Sequence, residues 1–489
     1  MNKSNNKNVN SNGVLKSSKF DLKENSIGVI HIGVGNFHRS HQAVYFNNIL
    51  KINNYSHWGI AGINLRSEDS DSFKLLKRLN GQYILKTVSS NGDKEYEEIK
   101  SILALHDWND QNDEILNLFS SDGVQLITIT VTESGYYCDN DNNLLINAKD
   151  IQNDISNQIP RTIFGALARG LESRMESGGG PITIACCDNL QENGVMLEHC
   201  FIQYLNALNN EKLLNWVLEN TSFPSTENTS FPSSMVDRIT PKIDLQELQE
   251  IQRMFNRQDD CSVFSEDFIQ WVIEDNFAGI RPPLDEVGVE IVDDVEPYEN
   301  TKIRILNGGH TVLAYLGVLE GYETFDSAIR DSELSDFFDG IQSEEIIPSL
   351  PINSPVDYER YLLTTKRRFE NKHLPDFLSR ICMDGATKFP IFLLPTIEWH
   401  LLKGVTPEYS IKAIASWYIF LCKVITNEIS FEYIEPKWNL LKLFLADDKE
   451  ESFASSEELW GSIPRVYPNF SKRLVEEIKA MKVRYKVNL

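Results

Sequence analysis

At 489 residues, 41% hydrophobic and 24% charged, the chain carries enough apolar material for two or three cored domains and is not a disordered or fibrous protein. Its 71 acidic against 47 basic residues leave a formal charge of -24, which repels nucleic acid phosphates and anionic membrane surfaces and excludes both as partners. Seven scattered cysteines without a CxxC pair argue against a disulfide framework or a structural zinc site, and for a reduced cytoplasmic setting.

Residues 1–22 are rich in Asn, Ser and Lys, lack the apolar core of a secretory signal, and read as a disordered tail. No later run reaches the ~20 apolar residues of a membrane span. Short apolar runs then follow at 27–34 (IGVIHIGV), 58–65 (WGIAGINL), 124–131 (VQLITITV) and 181–187 (PITIACC). Helical patterns at 40–52, 71–79, 112–119 and 160–176 separate them, as expected for parallel strands covered on both faces. Residues 23–294 therefore read as a Rossmann-like, doubly wound α/β domain. A TSFPS repeat at 221–225 and 229–233 marks a lengthened surface loop.

From 295 to 489 the pattern turns helical, with amphipathic stretches at 302–320, 355–371, 374–382, 389–402, 407–426 and 470–484. This half reads as a mainly α-helical substrate and catalytic domain. Its aromatics Trp399, Trp417 and Phe420 are assigned to the core.

The first run passes into GVGNFHRSHQAVYF, which places Gly33 and Gly35 where a strand turns into a helix. Such a turn lets backbone approach a pyrophosphate at a helix N-terminus, although His38 stands where the third glycine of GxGxxG is expected. The second strand ends in LRSED. An acid there, Asp69 or its neighbour Glu68, would bond the adenosine ribose and repel a 2'-phosphate, favouring NAD. Thr132, Glu133 and Gly135 follow the third run at the same edge and are expected to line the nicotinamide side.

The segment TKIRILNGGH, 301–310, sets Lys302, Asn307 and His310 in an apolar helix. Asn307 and His310 are three apart, and Lys302 lies eight before His310, within about 80° around an α-helical axis. Pro297 and an acidic run place Lys302 in the first helical turn, where the helix dipole and burial would lower its pKa. A neutral lysine can abstract an alcohol proton, Asn307 can donate to the oxygen that becomes negative, and His310 can bond that oxygen or orient the lysine. Together with a dinucleotide site this points to hydride transfer without a metal.

Five segments in order, GVGNFHRSHQ, CDNLQENG (187–194), MVDRITP (235–241), EDNFAGIRPPL (274–284) and KIRILNGGH, resemble the polyol-specific long-chain dehydrogenases, the family of mannitol 2-dehydrogenases and hexuronate reductases. The resemblance covers about residues 25–485. It implies that Lys302 is the general base, Asn189 and Asn307 the oxyanion donors, His310 the orienting histidine, and Glu299 a carboxylate that conducts the proton toward solvent. It also implies cofactor contacts at Asn36 and Phe37 and polyol contacts at Asp237, Arg380 and Lys388.

The expected protein is thus a cytoplasmic, monomeric, NAD-dependent and metal-independent enzyme interconverting mannitol and fructose, with no nucleic acid or membrane partner. The alternatives are a hexuronate reductase or mannitol 1-phosphate dehydrogenase, served by the cationic run Lys366, Arg367 and Arg368, and a non-catalytic NAD-binding regulator.

Overall fold

The computed structural model describes residues 13–17, 20, 22, 24–66, 70–139, 141–157, 159–220, 231–445 and 449–487. Most of the TSFPS repeat lies outside them. The chain forms two compact units, one of residues 1–89 and 93–296, the other of 90–92 and 297–489.

In the first unit the apolar runs become a parallel sheet of β1 (Ile27–Ile32), β2 (Gly59–Asn64), β3 (Ile102–Asp107), β4 (Leu126–Ile129) and β5 (Thr183–Cys186), in the order β3-β2-β1-β4-β5. Successive side chains of a strand point to opposite faces, so a continuous apolar run requires cover on both. Ile30, Ile63, Ile127 and Ile184 pack on one side with helices Asn112–Phe119, Ile163–Glu176 and Asn193–Leu208. Val29, Ile60 and Leu126 pack on the other with Gln42–Ile49 and Ser70–Arg78. This is the doubly wound arrangement that the runs imply.

Two smaller sheets escape the reading by apolar runs. One joins Leu15–Ser17, Lys94–Ile99, Tyr83–Val88 and Val263–Glu266; the other joins Glu290–Val292, Gln270–Glu274 and Ser234–Asp237. Strand Lys94–Ile99, KEYEEI, is held by its charges. Glu98 accepts from Ser17 Oγ at 2.6 Å and pairs with Lys100 and Arg257, while Glu97 accepts from Asn47 Nδ2 at 3.0 Å.

The second unit is helical. Helix Glu408–Ile425 is buried on every side from Ala413 to Cys422 and packs against Gly309–Leu319 and Pro468–Tyr485. The expected helix 389–402 is instead two, Gly385–Phe392 and Leu394–Leu402, broken where Pro395 has no N–H to continue the ladder. The expected helix 374–382 shrinks to Leu378–Ile381, because Pro375 disfavours helical backbone at Leu374. Trp417 and Phe420 are fully buried. Trp399 is not a core residue: it is half-buried, with Lys403 Nζ 3.3 Å from its ring centre. All seven cysteines are free thiols, and among the described residues no helix is long and apolar enough to cross a membrane.

Trp417 packs its ring against Tyr315, Phe389, Phe453 and Trp460. Trp417→Ala should therefore cost the second unit about 3–5 kcal/mol of unfolding free energy in urea titrations. A shift no larger than that of Val483→Ala, at a position 81% exposed, would contradict this packing.

Candidate functional site

Strand order reverses between β1 and β4, and beyond their carboxyl ends opens the crevice in which open α/β sheets bind ligands. Here it is a cavity of about 330 Å³ lined by Gly33, Gly35, Arg66, Thr130, Thr132, Gly135, Tyr137 and Arg161, among others. Gly33 has φ +96°, and an added Cβ would collide with the Thr130 carbonyl oxygen. The Gly35 N–H donates to Gly33 O at 2.8 Å. A Cβ at Gly35 would meet nothing of the chain nearer than 4.0 Å, so the room its absence leaves is open to a ligand. A backbone cradle of this kind fits a dinucleotide pyrophosphate.

Of the cofactor residues selected from sequence, Gly33, Gly35, Thr132 and Gly135 line the crevice. Glu133 is exposed and starts the turn Glu133–Tyr136, whose second half is buried. Asn36 accepts from the Arg39 guanidinium at 2.6 Å, and the Phe37 ring stacks on His41. Glu68 and Asp69 lie outside the described residues. The helix after the glycines runs only over Asn36–Ser40 before the chain kinks at His41, so its dipole is small. Sequence reasoning missed Arg66, Thr130, Tyr137 and Arg161; Arg66, two residues past the end of β2, was the legible one.

The missing third glycine has a structural answer. His38 is buried and stacks on His31 of β1 with ring centres 3.3 Å apart. His31 Nε2 donates to Gly33 O at 3.1 Å, and its Nδ1 accepts from Thr128 Oγ1 at 2.8 Å. Burial pushes the His31 pKa down to about 3 and that of His38 well below its usual value, so both rings are neutral beneath the glycine turn.

Asn189 follows β5 in an exposed turn at the same sheet edge. Asp237 ends the buried strand Ser234–Asp237, opposite Gln270.

In the second unit Lys302, Asn307 and His310 share one continuous helical run: α-helical from Glu296 to Thr301, π-helical from Lys302 to Gly308, α-helical again from Gly309. Lys302 is therefore in the second turn, not the first, and beyond the reach of the N-terminal partial charge. It is buried, 7% exposed, and Glu299, also buried, lies one turn before it. The π segment corrects the α-helical projection as well. Residues five apart sit about 140° apart at 3.6 residues per turn. An i→i+5 ladder instead brings Lys302 and Asn307 toward one line. Gln342, fully buried, donates Nε2 to Ile305 O at 2.8 Å within this wide turn, and a Cβ at Gly309 would collide with that amide.

His310 is 14% exposed, stacked on Phe369 and edge-on to Phe325, with Nε2 3.5 Å from Asp376 Oδ2. Burial drives its pKa down to about 4 against the pull of Asp376, with Arg380, Lys388 and Arg368 adding to the fall. Asp376, which the sequence did not single out, also holds Arg380 in a two-point pair at 2.9 and 2.5 Å, with the arginine side chain 69% exposed. Lys388 donates to Ile381 O at 2.9 Å, and burial lowers its pKa. The cationic run is no single patch: Lys366 pairs with Asp339 at 2.6 Å, Arg367 is exposed, and Arg368 points inward.

Residues 27–286 match the mannitol dehydrogenase Rossmann domain and residues 294–482 the mannitol dehydrogenase C-terminal domain. A D-arabinitol 4-dehydrogenase of Klebsiella pneumoniae is 33% identical, over 89% of this chain and 94% of its own. Among solved structures, substrate-free D-sorbitol dehydrogenase aligns with a TM-score of 0.88 at 28% identity, over 97% of each chain. Mannitol 2-dehydrogenase of Pseudomonas fluorescens, in ternary complex with NAD and D-mannitol, aligns at 0.79 and 30% identity, over 96% of this chain and 94% of that one.

The histidine environment has a consequence for stability. Below pH 6.5 the unfolded chain protonates His310, whereas the folded chain resists until about pH 4. The folded state therefore loses stability as pH falls through that window, at up to about 1.4 kcal/mol per pH unit. Urea titrations between pH 6.5 and 5 should show a shallower slope in His310→Gln than in the wild type. Equal slopes would mean that His310 is not held neutral.

Proposed function

The chain belongs to the mannitol dehydrogenase family, and we propose that it is an NAD-dependent polyol dehydrogenase interconverting mannitol and fructose. The observation that carries this reading is the buried Lys302 on a π-helical turn that aligns it with Asn307, one helical turn from a neutral His310. Gly33, Gly35, Thr132 and Gly135 would hold the dinucleotide, with Asn36, Phe37, Glu133 and the acids Glu68 and Asp69 completing its contacts. When bound there, it supplies the hydride acceptor for the carbinol carbon.

Lys302, deprotonated, takes the alcohol proton, which requires a free lone pair on Nζ. Asn307 donates N–H to the oxygen as negative charge grows on it. Neutral His310 can donate from one ring nitrogen and accept at the other, so it orients the oxygen without adding charge. Glu299 relays the proton onward from Lys302. Arg380 and Lys388 contact the remaining hydroxyls.

A neutral substrate is favoured over a uronate or sugar phosphate because two of the candidate cations are already engaged, Arg380 by Asp376 and Lys366 by Asp339.

Lys302→Ala should lower mannitol oxidation by ~10²–10⁴-fold with NADH binding nearly intact. Wild-type turnover in that variant would remove Lys302 from the base position. In a spectrophotometric screen with NAD, mannitol should exceed arabinitol and sorbitol. It should also exceed mannitol 1-phosphate, with little dependence on salt. A large, salt-sensitive preference for the phosphate would transfer the assignment to a sugar-phosphate dehydrogenase.

A further inference from the structure

Thr132 lines the crevice with φ +68° and ψ 160°, a region of backbone space that essentially only glycine occupies and that a β-branched residue enters under strain. Tyr137, five residues on and also lining the crevice, has φ +49°. Such geometry persists only where surrounding contacts over-determine it.

Those contacts converge on one carboxylate. Asp188 Oδ1 accepts the Thr132 N–H at 3.2 Å, and its Oδ2 accepts the Val131 N–H at 2.7 Å and the Tyr136 hydroxyl at 2.6 Å. The carboxylate thus grips both ends of segment 131–136 from the turn that follows β5. Its own backbone is fixed in turn: Asp188 O accepts Asn193 Nδ2 at 3.0 Å, and buried Asn193 also bonds both N and O of Ser234. Tyr136 is buried, and its hydroxyl also meets Cys186 Sγ at 2.9 Å, which fixes the donor from behind.

We propose that Asp188 is a positioning residue for the cofactor: its carboxylate holds Thr132 in a strained conformation that shapes the dinucleotide crevice. The proposal rests on reading that crevice as the NAD site. Asp188 touches neither cofactor nor substrate; it acts through the Val131 and Thr132 amides and the Tyr136 hydroxyl. Two N–H groups and one O–H directed at a carboxylate are strong, charge-assisted bonds, and an amide in its place loses one acceptor atom and turns a donor toward a donor.

The test exploits the one residue that needs no restraint. Glycine adopts the Thr132 geometry without steric cost, so a clamp on position 132 becomes redundant in T132G. NADH affinity is measured by fluorescence titration of the full-length wild type, D188N, T132G and D188N/T132G. Introducing Asp188→Asn beside Thr132 should weaken NADH binding on the order of 10-fold or more, but less than ~3-fold beside glycine. In steady state, D188N should raise KM for NAD far more than it lowers kcat. Should D188N fail to fold, Tyr136→Phe withdraws one of the three donors and should give a smaller loss with the same dependence on residue 132. Equal losses in both backgrounds, or none in either, would overturn the positioning role while leaving the NAD site standing. A wild type that does not bind NADH would instead overturn the NAD reading, and the proposal with it.

Discussion

The reversal of strand order between β1 and β4 is the constraint on which the first unit depends. Chains leaving neighbouring strands in opposite directions cannot cover the gap between them, so the turns that border it must be held open by their own bonds. At this edge they are. The Gly33 carbonyl, just past β1, accepts Thr130 Oγ1 from the end of β4 at 2.8 Å and His31 Nε2 from within β1. Asp188, past β5, takes the amides of Val131 and Thr132 past β4. Three strand ends are thereby cross-linked by hydrogen bonds around a space that the chain itself does not fill.

The second unit solves a different problem, that of presenting polar groups from a helix whose surroundings are apolar. From Gly309 to Leu319 that helix is almost wholly buried, so its rotation is fixed by packing. An α-helical approach at a fixed rotation would splay Lys302 and Asn307 apart. Widening one turn to π geometry reorients Lys302 without disturbing the packed part. The widened turn is supported locally by Gln342 on Ile305 O, and that contact needs the missing Cβ of Gly309. Asp376, far away in sequence, lies 3.5 Å from His310 and holds Arg380, so one carboxylate borders the polar end of the helix.

The parallel strands were legible because burial on both faces leaves no choice but continuous apolar residues. The run IGVIHIGV predicts β1 to within two residues, and the Gly33 turn follows from it. KEYEEI was illegible for the same reason inverted: its strand is stabilised by partners such as Ser17 and Arg257, which periodicity cannot reveal. Site residues carried by spacing, Gly33 with Gly35 and Lys302 with Asn307 and His310, could be found because their chemistry is local. Asp376 and Asp188 were invisible because their meaning comes from long-range pairs. The π turn was invisible as well. Nothing in KIRILNG announces it, and the Gln342 amide that supports it on Ile305 O comes from 37 residues further along the chain.

The histidine at the third glycine position leaves the turn without a positive charge of its own. A third glycine would let helix and strand approach closely; His38 fills the same layer by stacking on His31, and both rings must stay neutral because burial strips them of solvent. The positive charge beside an anionic cofactor must then come from elsewhere. A chain of formal charge -24 repels any dinucleotide at long range. Arg66 and Arg161, which line the crevice, are the groups placed to reverse that sign locally, where the low-dielectric walls of a cleft strengthen their field. Neutral histidines beneath the turn and arginines at its rim divide the work that a longer helix and a third glycine would otherwise perform, the histidines fixing its shape and the arginines supplying its charge.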